Sequence, residues 1–268
     1  MKYFTIKPPE RLAPYVRYFW VLEGEAAFEK PYVHRSMADG CAELIFHYSG
    51  IFDELLTEHL TEKSFSSGLA GPSQRFRRFT VNQNFGMFGV YLYPFAVSRF
   101  FRCEGTEVKD QMIDLPSLLG SEANGLEEQM MLASDNTIRL RIVTEFLERK
   151  LDGVREEQPG VFAAIKHIIK TCGVTRVEEL ASQSCQSPRQ FERNFKRFSG
   201  FSPKLFSRII RFQTALAEYN NKSKSLTEIA YQCGYYDQSH FIQDFKEFSG
   251  HSPREYFSGK TEATDWRD

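Results

Sequence analysis

The chain has 268 residues, 41% of them hydrophobic and 26% charged, which excludes a chain that is disordered throughout and predicts about two domains. The formal net charge is −1, but residues 161–259 hold 14 Lys and Arg against 9 Asp and Glu, so only this basic second half is expected to face a polyanion. No apolar run reaches the roughly 18 residues of a membrane span, and the five dispersed cysteines exclude a disulfide scaffold, so we expect a cytoplasmic protein with no membrane partner.

The first half has the pattern of a sheet followed by helices. Short aromatic and β-branched runs, broken by Gly, Pro, Asp and Asn, predict strands at Tyr15–Leu22, Glu43–His47, Phe65–Leu69 and Phe85–Tyr93. Helical patterns follow at Ala96–Arg102, Leu126–Ala133 and Thr137–Leu151. We therefore predict an α+β protein, in which a β-rich N-terminal domain with helices, a small barrel or cupin-like unit, precedes an all-α domain.

The boundary between the two halves is predicted at a polar segment with Pro159 between two glycines. This assigns residues 1–152 to an effector-sensing or dimerisation domain, 153–160 to a linker, 161–259 to the helical domain and 260–268 to a tail. The apolar face of Thr137–Leu151, which includes Phe146, is expected to pair with the same face of a second copy.

The second half contains an internal repeat. Eight residues of one block recur after an offset of 50 positions. The first copy has Phe191, Phe195, Lys196, Phe198, Ser199, Gly200, Ser202 and Pro203, and the second has Phe241, Phe245, Lys246, Phe248, Ser249, Gly250, Ser252 and Pro253. Two copies are too few for a solenoid, so a duplicated functional unit is the better interpretation.

Each copy has the pattern of a short helix, a tight turn and a second helix. Capping boxes at Thr175 and Ser225 predict the starts of the short helices, and Gly234 predicts the end of the later one. Ser187 and Asp237 are the predicted N-caps of the second helices. In these second helices the phenylalanines recur at i, i+4 and i+7, which predicts a core stripe opposite a polar, partly basic face. Helix-turn-helix DNA readers require this arrangement.

These motifs resemble the DNA-binding domain of AraC/XylS-type transcription regulators. The resemblance covers about residues 161–257 and is carried by F-x-R-x-F-K-x3-G-x-S-P from Phe191, R-F-x-x-A from Arg211, I-A-x-x-C-G-Y from Ile229 and F-x3-F-K-x3-G-x-S-P from Phe241. Ser184 and Cys185 stand where the family has an apolar residue and often a glycine, which leaves the shape of the first turn open. The resemblance implies a double helix-turn-helix domain behind an N-terminal effector or dimerisation domain. The run D-G-C-A-E-L-I-F from Asp39 resembles the sensor domain of one subgroup.

The resemblance also implies which residues meet DNA. The first reading helix would present Arg189, Gln190, Glu192 and Arg193 to base edges, and the second Gln238, Ser239, His240 and Gln243. Arg193 is the strongest candidate, because a guanidinium can bond guanine O6 and N7 together. Phosphate contacts are expected from Lys196, Arg197, Lys204 and Lys246. Double-stranded DNA is the expected partner, and a small-molecule effector, RNA polymerase and a second copy of the chain are further candidates.

The alternative is a cupin-like small-molecule-binding protein or enzyme with an accessory helical domain. His34, Glu43 and His47 could converge in the β-rich half, but the sequence has no H-x-H pair, no H-E-x-x-H and no phosphate loop. We therefore predict no catalytic residue, no metal and no cofactor, and favour sequence-specific DNA-binding regulation over an enzyme. The cysteines are expected to be small buried fillers.

Overall fold

The structure is a computed structural model that describes residues 1–58, 60–152, 159–218 and 224–259. In these ranges the first half has ten strands: β1 (Lys2–Ile6), β2 (Val16–Gly24), β3 (Tyr32–Ser36), β4 (Ala42–Ser49), β5 (Asp53–Thr57), β6 (Leu60–Glu62), β7 (Ser67–Ala70), β8 (Arg77–Val81), β9 (Phe85–Leu92) and β10 (Met112–Asp114). Its helices are α1 (Ala96–Phe101), α2 (Gly105–Val108), α3 (Leu115–Leu119), α4 (Glu122–Leu132) and α5 (Asn136–Leu151). The second half has α6 (Pro159–Lys170), α7 (Val177–Gln183), α8 (Pro188–Ser199), α9 (Pro203–Leu216), α10 (Leu226–Gln232), α11 (Gln238–Ser249) and α12 (Pro253–Tyr256).

The larger sheet of the first half has six strands in the order β1-β2-β9-β4-β7-β10, all antiparallel to their neighbours. Side chains alternate along a strand, so this sheet has two different faces. Phe19, Val21 and Leu44 point to one face and share a core with residues of α1, α3, α4 and α5. Trp20 and Ile45 point to the opposite face, away from these helices.

A second sheet, in the order β3-β8-β5-β6, faces this opposite side. Trp20 and Ile45 pack there in one cluster with Phe52, Phe79 and other buried side chains. A Cβ atom at Gly89 would lie 2.0 Å from Cε2 of Trp20, so only glycine lets the indole lie across β9. The predicted α+β class, with a β-rich domain ahead of an all-α domain, is confirmed.

The four predicted strands correspond to β2, β4, β7 and β9, with small differences at their ends. The other six strands were not predicted. Their residues are mostly half-buried or exposed, as in β5 and β6, so they have no continuous apolar run. Three of them pair with strands distant in the sequence, β3 and β5 with β8 and β10 with β7, which no local pattern reports.

The prediction that Phe146, on the apolar face of α5, packs against a second copy of the chain is wrong. Phe146 is only 1% exposed and lies in the core of its own half, together with Val143 and Leu147. The face covers the larger sheet, so it is not available to a second chain. The amphipathic pattern was interpreted correctly, but the partner is the protein's own sheet.

In the second half, the two predicted phenylalanine stripes are confirmed as core. Phe191, Phe195 and Phe198 of α8, and Phe241, Phe245 and Phe248 of α11, are at most 2% exposed. The two units are joined by α9, and Arg208 of α9 binds Asp244 of α11 through Nη2, at 2.6 Å from Oδ1. Because Asp244 is almost fully buried, this ion pair fixes α11 on α9.

The two halves share one core. Phe95, just before α1, stacks on Phe162 of α6 with ring centroids 4.4 Å apart, and Phe162 meets Phe198 of α8 edge-on at 5.0 Å. The backbone N–H of Ala38 donates to the carbonyl of Phe248 at 3.0 Å. The predicted linker 153–160 and tail 260–268 fall largely or wholly outside the described residues, so these boundaries stay a prediction.

Candidate nucleic-acid interface and cavity

The first candidate reading helix is α8. The Ser187 hydroxyl accepts from the Gln190 backbone N–H, and Pro188 occupies the first turn, so the helix starts as predicted. Phe191 and Phe195 hold one side of the helix in the core. The four predicted base-reading residues lie on the solvent side and are all exposed: Arg189, Gln190, Glu192 and Arg193.

The turn before α8 keeps the shape of its counterpart despite the departure in sequence. In the second copy Gly234 has φ +77°, and in the first copy Cys185 takes φ +52° at the equivalent position. A residue with a Cβ atom is rare in this left-handed region. The predicted capping box at Thr175 is wrong, because α7 starts from Arg176 without a side-chain cap and the Thr175 hydroxyl bonds Thr171 instead.

The second candidate reading helix, α11, starts at the predicted cap. Asp237 accepts from the backbone N–H of His240 at 2.9 Å, and its other oxygen lies 3.1 Å from Nδ1 of the same histidine. The bond from the His240 N–H lowers the pKa of Asp237. Gln238, Ser239, His240 and Gln243 are all exposed, on the face opposite the phenylalanines. The structure thus turns both predicted reading faces to solvent, and the base contacts themselves stay a prediction.

The four residues predicted to contact phosphates are exposed, but they are not equivalent. The amino groups of Lys196, Lys204 and Lys246 have no hydrogen bond or ion pair with any residue that the structure describes. Arg197 instead places Nε 2.7 Å from Oε1 of Glu104, which belongs to the first half. The acidic half therefore neutralises one cation at the end of α8.

Two of the five cysteines depart from the expected burial. Cys41 and Cys233 are buried, whereas Cys172 and Cys185 are exposed. The exposed pair occupies left-handed turn positions, with φ values of +54° and +52°. Both turns lie at the surface, so the two side chains cannot pack in a core.

A cavity of about 480 Å³ lies between the two sheets of the first half. Its walls are largely apolar, with Tyr18, Trp20, Phe52, Phe79 and Tyr91 among the rings. Gln213, Leu216 and Ala217 of α9 also line it, so the helix that joins the two reading units forms part of the wall. Pockets of this size and composition commonly hold small molecules.

His34, Glu43 and His47 line this same cavity, so the three residues singled out in the β-rich half do converge. Desolvation by burial lowers the pKa of His47 to about 4, and the imidazole is neutral at pH 7. Among residues 1–58, 60–152, 159–218 and 224–259, no group of three or more His, Cys, Asp or Glu is placed to hold a metal ion. His47 therefore contributes neutral polar atoms to the wall.

The sequence pointed to Glu43 but not to Asp39, the second acidic residue of the cavity wall. Burial raises the pKa of Asp39, which accepts hydrogen bonds from the Tyr91 hydroxyl and the Cys41 backbone. Burial, with the nearby Asp39 as the second cause, raises the pKa of Glu43 to about 8. Arg17 extends over the Tyr91 ring with Cζ 5.1 Å from the centroid and donates to Sγ of Cys41. An acidic residue within an otherwise apolar strand, as at Glu43 in β4, was the available signal.

Two family models match separate parts of the chain. One, described as a domain of unknown function, matches residues 4–114, and the other, a helix-turn-helix domain, matches residues 180–259. No helix in the described part of the chain is long and apolar enough to cross a membrane.

The similar curated proteins match only the second half. The HTH-type transcriptional activator RhaS of Klebsiella pneumoniae is 31% identical over 83 residues, which is 31% of this chain and 30% of RhaS. The HTH-type transcriptional regulator ArgR of Pseudomonas aeruginosa is 33% identical over 78 residues, which is 29% of this chain and 24% of ArgR. The matched segment therefore spans less than a third of either relative.

One solved structure is similar over nearly the whole chain. It is ToxT from Vibrio cholerae O395 bound to (E)-4-(8-methylnaphthalen-1-yl)but-3-enoic acid, with a TM-score of 0.51 and 16% identity. The match covers 97% of this chain and 100% of the ToxT chain. At this identity the likeness concerns the fold, a β-rich half followed by a helical half.

Proposed function

We propose that this chain, whose residues 180–259 form an AraC/XylS-type helix-turn-helix domain, is a sequence-specific DNA-binding transcription regulator. The observation that carries the proposal is the duplicated reading unit. Both second helices are capped, anchored by buried phenylalanines and exposed on the opposite face. These helices need only recognise DNA bases, and we assign no catalytic residue.

The reading faces suit base recognition in two major grooves. The guanidinium of Arg193 has no hydrogen bond or ion pair with the described residues, so all its donors are available to guanine. Gln238 and Gln243 offer amide groups that match adenine. Lys196, Lys204 and Lys246 would contact phosphates and supply the salt-dependent part of the affinity.

The spacing of the two units is also compatible with DNA. Helix α9 has 14 residues and is therefore roughly 21 Å long. Phe195 of α8 packs on Phe206 near the start of α9, and Phe245 of α11 packs on Phe212 further along it. We expect the two units, offset along this helix, to reach successive major grooves, which lie roughly 34 Å apart on one side of the duplex.

We propose that a small molecule bound in the first half modulates DNA binding by the second half. The cavity between the sheets is bounded in part by α9, so an occupant would contact the helix that sets the distance between the reading units. Because Arg208 of α9 also holds Asp244 of α11, a shift of α9 would move the second reading helix. We also propose RNA polymerase and a second copy of the chain as partners. The proposed location of the protein is the cytoplasm.

Selection of bound duplexes from a random DNA pool by the full chain tests the proposal. Recovery of a consensus with two half-sites is the expected result. Arg193→Ala should then lower affinity for that consensus by roughly 5- to 150-fold, corresponding to about 1–3 kcal/mol, and relax preference at one base pair.

The matched control is Arg141→Ala, which removes an exposed arginine from α5 in the first half. Its affinity should equal that of the parent. If Arg193→Ala behaves like this control, the assigned reading face is wrong, and if no duplex is enriched at low salt, the proposed function is wrong.

A further inference from the structure

The floor of the cavity is a row of side chains in register across five strands. Tyr18 of β2 pairs with Tyr91 of β9, which pairs with Glu43 of β4. Glu43 pairs in turn with Ala70 of β7, and Ala70 pairs with Met112 of β10. Residues in register project to the same face of a sheet, and all five line the cavity. Glu43 is the only carboxylate in this row.

The Glu43 carboxyl group lacks a partner, unlike Asp39 and Arg17 beside it in the wall. Asp39 is bonded by the Tyr91 hydroxyl, and Arg17 is held between Cys41 and the Tyr91 ring. The Glu43 carboxyl group has no hydrogen bond or ion pair with any residue in the described part of the chain. The side chain is half-buried in the cavity wall, where a charge is costly unless it is paired, so the wall presents an unmatched acidic group.

The remaining cations of the wall are engaged elsewhere or lie in solvent. Arg77 pairs with Glu54 at 3.3 Å, and Arg35 donates to the Ser249 carbonyl at 3.1 Å while covering the Phe76 ring. Arg75 is exposed. None of these cations neutralises Glu43.

A second polar atom nearby is also unmatched. His47 is 5% exposed and lines the cavity two residues along β4 from Ile45, on the same face as Glu43. Its Nδ1 meets the Ser66 carbonyl, whereas Nε2 has no hydrogen-bond partner. With Nδ1 donating to that carbonyl, Nε2 is an acceptor, so it too suits a donor such as an ammonium group.

We propose that the cavity binds an organic cation, with its ammonium group on the Glu43 carboxylate and its apolar body against Tyr18, Trp20 and Tyr91. Aromatic faces attract cations as well as apolar groups, so both parts of such a molecule find a complement. This inference rests on the proposed function, because it names the chemical class of the modulator for the same cavity.

Binding would release a proton. Since the pKa of Glu43 lies at about 8, the carboxyl is largely protonated at pH 7, whereas an ammonium group requires the carboxylate. Affinity should therefore rise with pH until it levels off above about pH 8. The other ionisable groups that share this cavity are Tyr3, Arg17, Tyr18, His34, Arg35, Asp39, Cys41, His47, Arg75, Arg77, Tyr91 and Asp110. Of these, Asp39 acts on Glu43 and keeps the carboxylate unfavourable until a cation arrives.

Three indole compounds of nearly equal size provide the test: tryptamine (cationic), tryptophol (neutral) and indole-3-acetate (anionic). Calorimetric titration of the full chain should give the order tryptamine, tryptophol, indole-3-acetate, from tightest to weakest at about pH 8. Tryptamine affinity should rise between about pH 6 and about pH 8, by up to roughly fifty-fold, while tryptophol affinity stays constant. A preference for indole-3-acetate, or no tryptamine binding at millimolar concentration, would overturn the proposal.

Variants identify the carboxylate. Glu43→Gln should weaken tryptamine binding at least tenfold at about pH 8 and leave tryptophol binding unchanged. Glu62→Gln, which removes an exposed carboxylate from β6, should change neither. Glu43→Asp, which withdraws the carboxylate by one methylene, should give an intermediate loss and serves as the test if the glutamine variant does not fold. Equal tryptamine binding by the parent and a folded Glu43 variant would overturn the proposal.

The two proposals fail in different ways. DNA selection by the chain without any amine tests the reading units alone. Enrichment of a consensus without tryptamine binding would overturn only the cation site. Tryptamine binding by a chain that enriches no duplex would overturn the proposed function and leave the cation site standing.

Discussion

Glu43 should make the stability of the ligand-free chain decrease with rising pH. Burial, with Asp39 as the second cause, raises its pKa from 4.5 to about 8 in the folded state. The folded chain holds this proton more tightly, so the full benefit is present below about pH 4.5 and is lost as the pH rises towards about 8. Each unit of pKa difference corresponds to about 1.4 kcal/mol, which gives an upper limit of about 5 kcal/mol. The Glu43 side chain is only half-buried, so solvent screens part of this penalty, and we expect roughly 2 kcal/mol of it.

Urea unfolding of Glu43→Gln and the parent measures this penalty. The glutamine keeps the shape of the side chain and cannot ionise, so the variant should gain about 2 kcal/mol over the parent between about pH 5 and about pH 9. Glu62→Gln should keep a constant difference from the parent, because its carboxylate is exposed. A Glu43→Gln difference that also stays constant over this range would refute the claim that β4 carries a desolvated, unpaired carboxyl group.

Three further predictions concern the second half and its contact with the first. Glu104→Gln frees Arg197 for a phosphate contact, so the affinity for non-specific DNA should rise in filter binding, and the plot of log affinity against log salt concentration should steepen by about one. An unchanged slope would count against this contact. Cys185→Gly relieves a left-handed turn and should raise the unfolding free energy by about 0.5–1 kcal/mol in urea titrations, whereas a loss would contradict the strain. Phe162→Ala removes the ring between Phe95 and Phe198 and should cost about 3 kcal/mol by the same titration; a cost below about 1 kcal/mol would show that the shared core contributes little.

The second half could be predicted from the sequence because its determinants are local. Caps lie three residues from the groups they bond, and the core stripes repeat at helical spacing, so short windows contain the information. The capping box at Ser225 formed as predicted, with Glu228 bonding back to the serine N–H. At Thr175 the same spacing does not form a capping box, because the Thr175 hydroxyl is hydrogen-bonded to the hydroxyl of Thr171 instead.

The cavity could not be predicted in the same way, because it depends on strand register. Glu43 and His47 share a face of β4, but His34 joins them only because β3 of the second sheet lies over β4 of the larger sheet. A shift of one residue along β4 would turn Glu43 towards the helices and Leu44 towards the cavity. The contribution of α9 to the wall joins residues about 170 positions apart, as in the bond from Gln213 to the Ala38 carbonyl.

The ring stack between the halves also bears on how the chain is made. Synthesis runs from the N-terminus, so Phe95 leaves the ribosome well before Phe162 and Phe198, its covering rings, have been added. During that interval the nascent β-rich half exposes an apolar surface that the finished protein buries. A chaperone bound to this surface would protect it. Premature termination after α5 would leave the same surface permanently uncovered, so the truncated product should aggregate even though its two sheets are complete.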